Sequence, residues 1–252
     1  MAKLTRVETA RHEKACALIA EDRILTADES IFVAESWHEG ASHLNTRASA
    51  HFTPWEYAEH VAIEADAPRV LDLCAGIGTL SLAVAQHRAA RNEGDHITMV
   101  EINPDYAAVA RRILPQAEVI VGSVFDKGLT AELAARDFDI VMSNPPFGTF
   151  ASRDHPETPR YTGRDLHYAV IDIAADLATY GVFVLPQNAC PFRYSGRQSL
   201  LWLKPDQNPA YDKFTKETGI SLEMNCGIDT ADLPAFRGVN ITTEIALADF
   251  RD

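Results

Sequence analysis

VLDLCAGIGTLSLAV, residues 70–84, decides the reading of this chain. The apolar run from Val70 reads as a buried strand that ends in Asp72-Leu73-Cys74. Gly76-Ile77-Gly78 follows as a turn, and a helical pattern opens near Thr79. Glycine tolerates left-handed backbone and lets a ligand come close. A helix N-terminus offers unpaired N–H groups at the same place. Alone, the stretch fits a plain strand-to-helix turn or a dinucleotide site equally well.

Working outward, short β-rich runs alternate with helical patterns. Strands are expected at 70–74, 97–101, 118–121, 138–143, 181–186, 221–226 and 241–246. Helices are expected near 79–87, 106–114, 130–135, 166–179 and 209–218. Such alternation predicts βαβ units and a mostly parallel sheet covered on both faces. The last two strands are joined by a loop alone, so they are expected to pair antiparallel. Residues 1–50 read as a helical extension packed on the core, with helical patterns at 10–20 and 30–37. Residues 51–252 read as one catalytic domain.

The chain has 252 residues, 46% hydrophobic and 23% charged, which suits a globular protein with a full core. No apolar run reaches the roughly 18 residues of a membrane span. The polar first residues lack a signal-peptide core, and the four cysteines show no C-x-x-C spacing. These features predict a cytoplasmic protein with free thiols and no membrane association. His38-Glu39 and His43 miss the H-E-x-x-H spacing by one position, so no metal site is expected. A net charge of −13 is a handicap for a nucleic-acid binder, which usually shows a basic face.

Three further motifs carry chemistry. Glu101 ends the second strand about 20 residues past the glycines, where an acid can accept from ribose hydroxyls. Phe125-Asp126 follows the third strand. There, a carboxylate can accept from an adenine amino group while an apolar neighbour covers the ring. Asn144-Pro145-Pro146-Phe147 closes the fourth strand, beside the switch point where open α/β sheets bind ligands.

Together, D-x-x-x-G-x-G, the two acids and N-P-P-F resemble the class I S-adenosylmethionine-dependent methyltransferases that modify exocyclic amino groups. The resemblance covers about residues 50–190. It implies a Rossmann-like seven-stranded sheet of order 3-2-1-4-5-7-6 with the last strand antiparallel. It also implies S-adenosylmethionine as cofactor, held by Asp72, Cys74, Ala75, Gly76, Gly78, Thr79, Glu101, Ile102, Phe125, Asp126 and Asn144. Ala50-His51-Phe52-Thr53-Pro54 resembles the F-T-P segment of adenine methyltransferases, which adds Phe52, Thr53 and Pro54. Thr53-Pro54 also suits a helix N-cap and first position. The resemblance implies catalysis by Asn144, Pro145, Pro146 and Phe147, and against a nicotinamide dehydrogenase stands this whole element, which hydride transfer has no use for.

The resemblance implies a nucleic-acid adenine as substrate, with DNA ahead of RNA. Protein glutamine, an rRNA guanine and a non-catalytic regulatory subunit are the alternatives, and a protein partner or homodimer is allowed. Residues 186–204 contain Arg193, Arg197 and Lys204 without an acid, interleaved with Phe192, Tyr194 and Trp202. Arg153, Arg160, Tyr161 and Arg164 follow the N-P-P-F motif. Cations with aromatics suit phosphate neutralisation and base stacking. Arg160, Arg164, Phe192, Arg193, Tyr194 and Arg197 are therefore expected to bind substrate.

Overall fold

The computed structural model describes residues 5–38, 51–150, 157–234, 236 and 241–251. Glu39, His43, Ala50 and Arg153 lie outside them.

Five parallel strands form most of the sheet. They are β1 (Arg69–Leu73), β2 (His96–Glu101), β3 (Glu118–Val121), β4 (Phe138–Ser143) and β5 (Ala178–Pro186). β9 (Thr243–Asp249) runs antiparallel beside β5, and the two-residue β8 (Glu223–Met224) pairs with β9. The order is β3-β2-β1-β4-β5-β9-β8, the seven-stranded arrangement expected from sequence. A separate ribbon, β6 (Phe192–Arg193) with β7 (Leu201–Trp202), was not anticipated.

The strands alternate their side chains between two cores. Val70, Met99, Ile140, Met142, Val182 and Val184 face one cluster, while Leu71, Leu73, Val100, Val141, Phe183 and Leu185 face the other. The near-continuous apolar runs thus reflect burial of both faces. The first face is covered by α3 (Trp55–Glu64), α4 (Thr79–Ala89) and α5 (Pro104–Ile113). The second is covered by α6 (Lys127–Ala134), α7 (Leu166–Ala174) and α8 (Pro209–Thr218). Tyr168 of α7 stacks on Phe214 of α8 with centroids 4.6 Å apart. The helix expected over 166–179 stops at Ala174, and β5 already begins at Ala178. The β-branched and aromatic run Thr179-Tyr180 pairs with the edge of β4 instead of extending the helix.

At the N-terminal side, α1 (Arg6–Ala20) and α2 (Ala27–Ser36) each begin with a Thr/Glu capping box. Ala15, Leu18, Leu25, Val33 and Ala34 join the first core. Arg112 of α5 donates to the carbonyls of Ile19, Glu21 and Arg23, satisfying acceptors at the end of α1 and just past it.

β1 pairs with both β2 and β4, so the chain reverses direction of growth there. Leu73 lies level with Val100 and with Ser143, which brings the ends of β1, β2 and β4 to one edge. The Ser143 hydroxyl donates to the Leu73 carbonyl and ties that edge together.

Candidate active site

A cavity of about 400 Å³ opens at this edge, within the range of small-molecule sites. The glycine turn forms its floor. Cys74, Gly76 and Gly78 all have positive φ, at 62°, 58° and 83°. A Cβ on Gly76 would lie 3.2 Å from the Phe52 ring, and one on Gly78 would lie 2.9 Å from Met99 Sδ. Gly76 therefore keeps the cavity open, while Gly78 lets the turn pack on β2 and α5. The turn is fixed to β2 by Ala75 N–H donating to Val100 O, and by Gly76 N–H donating to Glu101 at 2.7 Å.

Glu101 also accepts from Asn103 N–H at 2.7 Å. Burial raises its pKa, and the two N–H donors work against that rise. Each carboxylate oxygen has a further lone pair for a ligand hydroxyl. Asp72 is wholly buried. Its Oδ2 accepts from Ser81 at 2.7 Å and its Oδ1 has no partner. Burial pushes its pKa up to about 7, helped by the nearby charge of Glu101. Burial likewise raises the Cys74 thiol far above its ordinary value, so it is no nucleophile.

Asn144 sits on the opposite wall with Pro145, Pro146 and Phe147. Its Nδ2 donates to His51 O and to Thr53 Oγ1, both at 3.0 Å. A carbonyl only accepts, so the nitrogen must face His51, and Oδ1 is the atom left for a ligand. Phe147 meets Phe236 edge-on with centroids 6.3 Å apart, and Phe236 packs on Tyr57 of α3.

Of the residues implied by the motifs, Phe52, Thr53, Cys74, Ala75, Gly76, Thr79, Glu101, Ile102, Phe125, Asn144, Pro145, Pro146 and Phe147 line the cavity. Four of the implied cofactor residues do not line the cavity. Asp126 is exposed and caps α6, accepting from Gly128 and Leu129 N–H. An Asp at an N-cap is held by the backbone and not by the cavity. Asp72 lies beneath the turn and braces Ser81 of α4. Gly78 is a packing position. Pro54 occupies the N-cap of α3 without a side-chain bond, and Thr53 faces Asn144 instead of capping.

Most of the expected substrate-binding residues have partners within the fold. Arg160 is engaged by the buried Asp172 at 2.8 Å and by Asp176. Arg164 donates to Phe150 O. Arg193 Nη1 is shared by the carbonyls of Gln187, Cys190 and Phe192. Phe192 is buried, and the Tyr194 hydroxyl donates to Gly227 O. Only Arg197 of this set stays exposed without a side-chain partner among the described residues. His51, Ile77, Leu80, Asn103, Tyr106, Ser123 and Leu166 line the cavity without having been singled out. Ser123 was within reach, since it directly precedes the Val124-Phe125 pair in the loop after β3.

The donor set fits S-adenosylmethionine. Thr79 Oγ1 is buried without a partner at the start of α4, ready for the polar end of an amino-acid ligand. Glu101 accepts from hydroxyls, while Ile102 and Phe125 offer apolar faces to a base.

Residues 58–156 match the model of the methyltransferase small domain family. Over that span the chain is similar to S-adenosylmethionine-dependent methyltransferases. S-adenosylmethionine is the cofactor that this similarity and the cavity support. The chain is 33% identical over 126 residues to a tRNA1(Val) (adenine(37)-N6)-methyltransferase of Yersinia pestis, strain Pestoides F. That match covers 48% of this chain and 51% of the relative. The chain thus spans about half the length of the curated relatives it matches. Two solved structures share the fold. One is a type I restriction-modification system methyltransferase subunit from Streptococcus thermophilus, with a TM-score of 0.56 and 15% identity. It covers 88% of this chain and 50% of that chain. The other, from Listeria monocytogenes, is described as a class I S-adenosylmethionine-dependent methyltransferase. Its TM-score is 0.56 at 11% identity, over 98% and 81% of the two chains. Among the described residues no helix is long and apolar enough to cross a membrane, and no cluster of metal-ligating side chains occurs.

Proposed function

We propose that this methyltransferase modifies the N6 amino group of adenine in RNA. The observation that carries the reading is the pinned amide of Asn144, whose Nδ2 is held by His51 O and Thr53 Oγ1. Bound in the cavity, S-adenosylmethionine supplies an electrophilic methyl group on a sulfonium centre. An arylamine is a poor nucleophile because its lone pair is delocalised into the ring. Asn144 Oδ1 and the Pro145 carbonyl accept its two hydrogens and favour the pyramidal nitrogen. The prolines fix the loop and add no competing donor. Phe147 stacks on the ring, backed by Phe236. Positioning and these fixed acceptors supply the acceleration. No strong base is needed, since the methylated ammonium product is itself acidic. A target held in a paired stem must be flipped out.

RNA replaces DNA as the favoured polymer for two reasons. The likeness to DNA enzymes drew on the F-T-P segment and on residues 185–197, and in the latter Phe192 and Arg193 are taken up by the fold. The curated relative is a tRNA enzyme by name. Residues 51–252 act as the catalytic domain with residues 1–50 as its extension, and the cytoplasm is the proposed place of action.

Incubation with methyl-labelled cofactor and separate tRNA, rRNA, DNA and protein pools tests the reading. N6-methyladenosine in an RNA pool is expected. Label confined to DNA or to protein overturns it.

A further inference from the structure

The β6–β7 ribbon leaves Leu200, Leu201 and Trp202 exposed at 36%, 43% and 50%. No other large apolar side chains exposed on the described surface are consecutive in sequence. Scattered ones need no explanation, whereas a contiguous patch marks an interaction. The ribbon follows β5, whose carboxyl end is neighbour to β4 and its Asn144 loop. It therefore stands at the edge of the sheet that carries the cavity.

Its base is held firmly. Buried Glu244 accepts from Gln187 Nε2 at 2.7 Å, Tyr194 N–H at 2.8 Å and the Ser195 hydroxyl at 2.7 Å. Asn208 Nδ2 donates to Asn188 O and Cys190 O. Buried Phe192 meets the Trp202 indole edge-on, with centroids 5.4 Å apart, and fixes its plane. The tip is different: residues 196–202 are all exposed. Arg197 and Lys204 flank Trp202 in sequence, and no Asp or Glu occurs from Pro186 to Lys204 in a chain of net charge −13, while Asp229 accepts from Gly196 N–H next to Arg197.

We infer that Trp202, with Arg197 and Lys204, is a docking surface for the single-stranded nucleotides that flank the target adenine. The inference rests on the reading that nucleic acid is the substrate. A rigid aromatic with cations near it in sequence, just past the carboxyl end of β5, meets the needs of base stacking and phosphate neutralisation.

Binding of a short fluorescein-labelled single-stranded RNA to the full chain, without methyl donor, tests this by anisotropy. Trp202→Ala is expected to weaken binding about tenfold, and Trp202→Phe to retain most of it. Arg197→Ala with Lys204→Ala is expected to lower the slope of log affinity against log salt by about 1.4. Cofactor binding by calorimetry reports folding of each variant. If Trp202→Ala loses it, Trp202→Phe and the double variant decide. Unchanged RNA affinity in folded variants overturns the inference. So does self-association that vanishes in Trp202→Ala while RNA affinity stays the same, which assigns the patch to a second copy. RNA bound through Trp202 without methylation of any pool sinks the proposed reaction and leaves the surface. Methylation with unaffected binding sinks the surface and leaves the reaction.

Discussion

Thr53 Oγ1 accepts a 3.0 Å hydrogen bond from Asn144 Nδ2, across 91 positions of chain. The F-T-P segment ahead of α3 is thereby joined to the N-P-P-F loop after β4. The two motifs form one wall, and the first sets which end of the amide meets the ligand.

Replacing Asn144 with Ala is expected to lower kcat by on the order of 10²–10³, the loss found when one fixed polar group of a reacting site is removed. Cofactor affinity should change little, because Glu101, Thr79 and the glycine turn remain. Single-turnover kinetics and calorimetry measure the two. Transfer that persists at the wild-type rate removes Asn144 from the chemistry.

Thr53→Val deletes the acceptor while keeping the shape. One lost hydrogen bond corresponds to about 1 kcal/mol, or roughly a fivefold fall in kcat. Thr53→Ser should restore the rate. An equal loss in Val and Ser variants would point to packing instead.

The glycines should separate binding from stability. Gly78→Ala puts a Cβ 2.9 Å from Met99 Sδ at a φ of 83° and is expected to cost about 1–3 kcal/mol. Gly76→Ala meets only the Phe52 ring, at a φ of 58°, and should weaken cofactor binding more than it lowers the melting temperature. Melting curves and titration calorimetry on both variants check the contrast.

Two buried groups give stability opposite pH trends. Asp72 has its folded pKa raised from 3.8 to about 7, chiefly by burial. The folded state then holds the extra proton, so this contribution is full below 3.8 and is lost as pH rises to about 7. His167 is buried with neither ring nitrogen bonded, and its folded pKa falls from 6.5 to about 4. Its contribution is full above 6.5 and is lost as pH falls through about 4. Asp72→Asn should therefore gain stability relative to wild type as pH rises from 4 to 7, by up to a few kcal/mol. Denaturant melts at stepped pH measure the difference; a flat difference removes the assignment.

Arg160→Ala should act on stability and leave substrate affinity unchanged. Asp172 is fully buried and would keep only the N–H groups of Arg160 and Tyr161, at a cost of about 2–3 kcal/mol. Loss of RNA binding in a variant that melts normally would return Arg160 to the substrate surface.

The strands and the parallel sheet were legible because burial of both faces writes itself as apolar runs of strand length, separated by helical periods, while the strand order came from the resemblance that the motifs carry. The glycine turn and N-P-P-F were legible because their backbone geometry admits few residue types. The ribbon was not, since its two strands have two residues each and carry no period. Asp126 shows a second limit: an acid after β3 suits an adenine contact and a helix N-cap equally in one dimension, and the start of α6 claims it.

By itself the sequence determined the parallel sheet, the ligand edge and the residue types that can hold an amino group, because these follow from local periodicity and backbone rules. The tertiary structure alone decided how the charges are used. Arg160 and Arg193 look alike with Arg197 in sequence. Yet the first two face buried carboxylate and carbonyl groups that need their donors, and only the third is left at the surface. Which cation meets a buried acceptor depends on partners far away in the chain, and no local pattern records that.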